Sequence, residues 1–71
     1  MKMLAPRNSS SHIKELGHDP ETNTLAVTFH KGGTYHYPGV TEEQYRVLHE
    51  HDSPGSHFHR HIKPRFKGRP A

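Results

Sequence analysis

Cysteine is absent from this 71-residue sequence, which removes disulfide staples, thiolate zinc sites and thiol nucleophiles together, along with the usual mark of a small secreted scaffold. A cytoplasmic location is the expectation that follows. Apolar residues are scarce as well, at 28% hydrophobic and 8% aromatic. No run approaches the roughly 20 apolar residues that a spanning helix needs, and Met1 to Ser11 has none of the apolar character of a signal peptide. No membrane contact is therefore expected. So short and so polar a chain has a thin core and marginal stability unless an oligomer or a bound partner adds to it. Ile13, Leu16, Leu25, Val27, Phe29, Tyr45, Leu48, Phe58 and Ile62 are the residues expected to form that core.

Acids are missing from the C-terminal end. Residues 57–71 carry Arg60, Lys63, Arg65, Lys67 and Arg69 against no carboxylate, a local charge of +5, whereas residues 1–56 sum to −2. Such asymmetry predicts a polyanionic partner for the basic end.

The chain reads as one domain with alternating β and turn chemistry followed by helices. Residues 1–10 are polar, contain Pro6 and serines, and show no periodicity, so a flexible leader is expected there. Ile13 and Leu16 break the even spacing of a flat strand, and a bulge near Glu15 reconciles them. Asp19-Pro20-Glu21-Thr22-Asn23 is a turn, after which Leu25, Val27 and Phe29 alternate with polar residues on a second strand. Gly32-Gly33 turns the chain again into Thr34-Tyr35-His36-Tyr37. Thr41-Glu42-Glu43-Gln44 has the form of a capping box, with Val40 and Tyr45 placed as a hydrophobic staple, and predicts a helix to about His49 or Glu50. Phe58 and Ile62 share one face of a second short helix over His57 to Ile62. The expected fold is α+β, a three-stranded antiparallel β-meander followed by two short helices packed on one face.

The order of these features, Ile13, Asp19-Pro20, a strand, Gly-Gly, Tyr35-His36-Tyr37, a capped helix, then Gly55-Ser56-His57-Phe58-His59-Arg60-His61-Ile62-Lys63, resembles the KTSC domain family. That family takes its name from the C-terminal domain of some lysyl-tRNA synthetases, also occurs as small bacterial and phage proteins, and has a central Tyr-x-Tyr motif. RNA binding has been suggested for it, although its function is not established. The resemblance covers roughly residues 9 to 66, and divides the chain into a leader (1–10), a KTSC-like domain (11–66) and a flexible basic tail (67–71). This sequence departs from the family pattern at His18, where an aromatic often precedes the acid of the first turn, and near the end, where the pattern often has Asn-rich spacing and His59 and His61 stand here.

The strongest chemical signal is the run Arg60, His61, Lys63, Arg65, Lys67 and Arg69 with Phe58 and Phe66 interleaved. Cations contact phosphates while rings stack on unpaired bases, which is how single-stranded nucleic acids are held without sequence reading. Tyr35 and Tyr37 on one strand face are further stacking candidates, with core packing as the competing role. Nine histidines add positive charge on acidification, because free imidazole titrates near pH ~6.5. They form no His-Glu-x-x-His pattern, and no metal or cofactor is expected. His57, His61 and Lys63 are residue types capable of RNA cleavage, but no geometry supports them, no Gly-x-Ser-x-Gly elbow is present and no carboxylate pair sits in an apolar setting. The expected function is a small noncatalytic module that binds RNA or single-stranded nucleic acid through Tyr35, Tyr37, Arg60, His61, Lys63, Arg65 and Lys67. The alternative is a protein-interaction module that docks an acidic protein or extends its sheet edge without nucleic acid.

Overall fold

The turn chemistry sets the topology. Asp19 Oδ1 accepts a hydrogen bond from Glu21 N at 3.0 Å, and Asn23 takes a left-handed φ of 51°, a conformation its short polar side chain tolerates. This reverses β1 (Ile13–Asp19) into β2 (Thr24–Phe29). Gly32 and Gly33, at φ 113° and 80°, then reverse β2 into β3 (Gly33–Pro38). The computed structural model describes residues 1–71. Its register slips between Ile13 and Glu15, which is the bulge that lets Ile13 and Leu16 face the same side.

Pro38-Gly39 ends β3, and α1 (Glu42–Glu50) starts with both halves of the capping box formed. Gln44 N donates to Thr41 Oγ1 at 3.2 Å, and Thr41 N donates to Gln44 Oε1 at 2.9 Å. The second helix begins three residues earlier than its apolar spacing indicates, because Pro54 occupies the first helical position, where its missing N–H costs nothing. This helix, α2 (Pro54–His57), runs directly into a π-helical turn over Phe58–Ile62, in which Lys63 N reaches back to Phe58 O at 2.9 Å. Both helices lie on one face of the sheet, and between them Leu48, Phe58 and Ile62 are buried against Ile13, Leu16, Leu25 and Val27. Phe29 and Tyr45, expected in the core, only pack against its edge, while Val40 and Tyr37 complete it. Each of these large side chains contributes about 1.5–3 kcal/mol by leaving water.

The sheet has four strands, one more than expected: β4 (Arg69–Pro70) lies antiparallel on β3, and Ala71 N donates to Thr34 O at 2.9 Å. The short strand blunts an edge that would otherwise be open for pairing. The opposite edge is covered from the N-terminus. Leu4 exchanges two backbone hydrogen bonds with Leu16 at 2.8 and 2.7 Å, and Arg7 N and Asn8 Nδ2 donate to the carbonyls of His49 and His51. The segment expected as a leader thus satisfies carbonyls at the end of α1 that the helix itself leaves unpaired.

Glycine marks the place where the C-terminal segment crosses the sheet. A Cβ on Gly68 would stand 2.5 Å from the Tyr37 ring. Gly68→Ala is therefore expected to cost about 1–3 kcal/mol, the range for overpacking a filled site, in urea unfolding followed by circular dichroism. A loss below about 0.5 kcal/mol, the ordinary surface range, would mean that the segment does not rest on that ring.

Candidate nucleic-acid interface

The π-helical turn distributes consecutive side chains over three directions. Phe58 and Ile62 enter the core. His59, Arg60 and Lys63 are exposed and line a groove of about 910 Å³ between this turn and the sheet. His57 and His61 face the other way, onto a second groove of about 390 Å³ beside α1.

Aromatic rings floor the larger groove. Phe58 meets Tyr37 and Phe29 edge-on, with ring centroids 5.3 and 5.6 Å apart, and Phe29 meets Tyr35 at 5.9 Å. These edge-to-face contacts are the favourable geometry for ring quadrupoles. Tyr37 and Phe58 are 6% and 5% exposed, which leaves the half-buried Phe29 and Tyr35 as the rings a ligand can reach. Arg60, Lys63, His59 and His12 surround them, and no carboxylate lines the groove. Tyr35, Arg60 and Lys63 thus line one groove, and Tyr37 joins them as floor with little surface to offer.

The remaining candidates separate. His61 and Arg65 line the second groove, in company with Glu43 and Gln44, and Lys67 is exposed but lines neither. Sequence reasoning missed Phe29, His12 and His59 as groove residues. For Phe29 a signal existed: it pairs with Gly33 across the hairpin, and an opposing glycine leaves one flank of the ring open. For His12 there was none. Its position depends on the close approach of Ser10 to Gly55, where an added Cβ would stand 2.8 Å from Ser10 Oγ, and on Ser10 Oγ accepting from His12 N and Ile13 N at 3.1 Å.

The departure at His18 fills the role of an aromatic. Its ring stacks on Tyr45 with centroids 5.5 Å apart and planes 19° apart, and its Nε2 lies 2.7 Å from Val40 O. A carbonyl only accepts, so Nε2 carries the proton. Burial raises the phenol of Tyr45 above its ordinary pKa, and burial followed by the neighbouring Tyr35 raises that of Tyr37. Burial lowers the His57 pKa, helped by His51 and His61. No group of three or more His, Asp or Glu side chains is placed to hold a metal ion, and no helix is long and apolar enough to cross a membrane.

A family profile described as the KTSC domain matches residues 9–66. A protein of Stutzerimonas stutzeri, itself uncharacterised, is 42% identical over 64 residues, covering 90% of this chain and 87% of the relative. A lysine–tRNA ligase of Nostoc punctiforme is 34% identical over 65 residues, covering 92% of this chain but only 11% of the ligase. Among solved structures, a KTSC domain protein from Yersinia pestis superposes with a TM-score of 0.87 at 34% identity, over 99% of both chains.

The raised phenol of Tyr37 gives a pH test of its burial. A phenol with a raised pKa binds its proton more tightly in the folded chain, so its stabilising share is complete below the unfolded value near pH ~10 and is lost as pH rises through the folded one. Tyr37→Phe is expected to flatten the alkaline fall of melting temperature relative to the wild type. Equal slopes in both proteins would show that the Tyr37 hydroxyl is open to water.

Proposed function

We propose, from the premise that this chain belongs to the KTSC domain family, that it is a noncatalytic module binding single-stranded nucleic acid, RNA in particular, in the groove between the sheet and the π-helical turn. The observation that carries this reading is the meeting of Tyr35 and Phe29 with Arg60 and Lys63 in one groove without a carboxylate. A base can stack on the half-buried rings while its flanking phosphates face the cations, and neither contact reads a sequence. The +5 charge of residues 57–71 raises the local concentration of any polyanion around it. The similarity to part of a lysine–tRNA ligase fits an RNA partner.

Placement argues against catalysis. Of the trio that could cleave RNA, His57 and His61 line one groove and Lys63 the other. His12 and His59 do stand beside Lys63, but the imidazoles held by hydrogen bonds are His18, His30 and His51. No partner orients a ring in the groove as general base or acid, and orientation is what such a role requires.

Fluorescence anisotropy of a short labelled single-stranded RNA at two salt concentrations tests the reading. Binding is expected to weaken with salt, and Arg60→Ala with Lys63→Ala is expected to lower both the affinity and the salt slope. The slope should drop by about 0.7 for each phosphate that is no longer neutralised. Tyr35→Ala is expected to cost roughly 5- to 100-fold, as removal of one base stack does, while Arg65→Ala with Lys67→Ala costs less than the groove pair. Absence of binding at low salt overturns the proposal and turns the search to an acidic protein partner.

A further inference from the structure

Behind the groove wall, three imidazoles form a column. His51, which caps α1, stacks on His57 at the end of α2 with centroids 4.6 Å apart and planes 29° apart, and His57 faces His61 of the π-helical turn at 4.7 Å and 37°. One end is anchored, since His51 Nδ1 accepts a hydrogen bond from Ser53 N at 2.9 Å. His57, the central ring, touches both others and is half-buried. The same few residues carry the groove wall, because Arg60 and Lys63 leave the turn on its opposite side.

We infer that this column is an acid-sensitive clasp on the nucleic-acid groove: neutral, it seats α2 and the π-helical turn against the end of α1, and protonated, it drives them apart and loosens the wall that carries Arg60 and Lys63. The inference rests on the binding function proposed above and adds its regulation. Two imidazolium rings at one ring spacing repel, and the central ring has no position in the stack that avoids a neighbour. The lowered pKa of His57 agrees with this. The charged groups facing the column do not neutralise it. Glu43 of α1 and Arg65 beyond the turn border the groove that holds His57 and His61 and oppose each other in sign. Asp52, beside His51 in sequence, is exposed, and Glu50 is directed to Arg7 at 4.0 Å.

The sign of the effect follows from the shift. An imidazole harder to protonate in the folded chain contributes stability that is present above its unfolded value near pH ~6.5 and is lost as pH falls toward the folded value. The clasp is read as a difference between variants, because every other effect of pH on the protein and the RNA is shared by both. His57→Phe keeps a ring in the column without its proton, and His57→Gln is the second variant should the larger ring disturb packing. Labelled RNA is titrated against wild type and variant near pH ~7.5 and near pH ~5.5, on either side of the free imidazole value. Amide hydrogen exchange of residues 54–63 is followed without RNA at the same two pH values. Equal affinities are expected at the higher pH, with the variant several-fold tighter at the lower one, and wild-type protection should fall on acidification while that of the variant holds. Parallel pH dependence of affinity and protection in wild type and both variants overturns the clasp. If no RNA binds at either pH, the binding function fails while the exchange data still decide whether the column opens.

Discussion

Phe58, set edge-on against both Tyr37 and Phe29, is the contact on which the remaining geometry depends. It fixes the π-helical turn over β2 and β3, and with Ile62 it sets the rotation of that turn about its own axis. Once those two side chains point inward, Arg60 and Lys63 fall on the groove side and His57 and His61 on the other. An ordinary α-helical turn would bond each N–H to the fourth preceding carbonyl; here Lys63 N reaches the fifth, Phe58 O. Such widened turns recur at functional sites, and in this chain the widening accompanies three distinct surfaces drawn from seven consecutive residues.

Scarcity of apolar residues explains why the termini fold back. Only 13 of 71 residues are buried, so sheet edges and helix ends must be covered by backbone rather than by a larger core. Leu4 pairs with Leu16 of β1, Arg7 and Asn8 satisfy the carbonyls of His49 and His51, and the last three residues pair with β3. Both crossings press on glycine, at Gly17 beneath Met3 and at Gly68 above Tyr37. The fold therefore places glycines where strands pass closely as well as in turns, a use that composition alone does not separate from turn formation.

Local chemistry was legible in the sequence wherever one short segment decides its own conformation. The Asp19 to Asn23 turn, the bulge near Glu15 and the Thr41 to Gln44 capping box are each formed by neighbours in sequence, and each is present. The fourth strand was not legible, because Arg69-Pro70 has no β signature and pairs only through the exposed edge of β3. Part of the groove was readable for the same reason: alternation put Tyr35 and Tyr37 on one face, and the basic run held Arg60 and Lys63 close together in sequence. The division of the basic run was hidden. Charge along a chain counts Lys63 and Arg65 as neighbours, but the turn places them on different grooves, and only packing decides that.

Charge placement completes the physical case for a directed approach to the groove. Glu42, Glu43 and Glu50 lie on α1, and Asp19 and Glu21 in the first turn, while the groove is lined by Arg60 and Lys63 with no acid. The acids on α1 also serve the helix, since Glu42 and Glu43 sit in its first turn, where the macrodipole favours negative charge. Folding thus gives Asp19, Glu42 and Glu43 local structural roles and leaves the cations of the π-helical turn without carboxylate partners: Arg7 with Glu50, between two exposed side chains, is the one ion pair in the chain. Cations that are not used internally keep their full field for an external anion, and at physiological ionic strength that field extends about 8 Å. Under the proposed reading a ligand would have to come close to sense that field, and the aromatic floor would then supply the contact that charge alone does not.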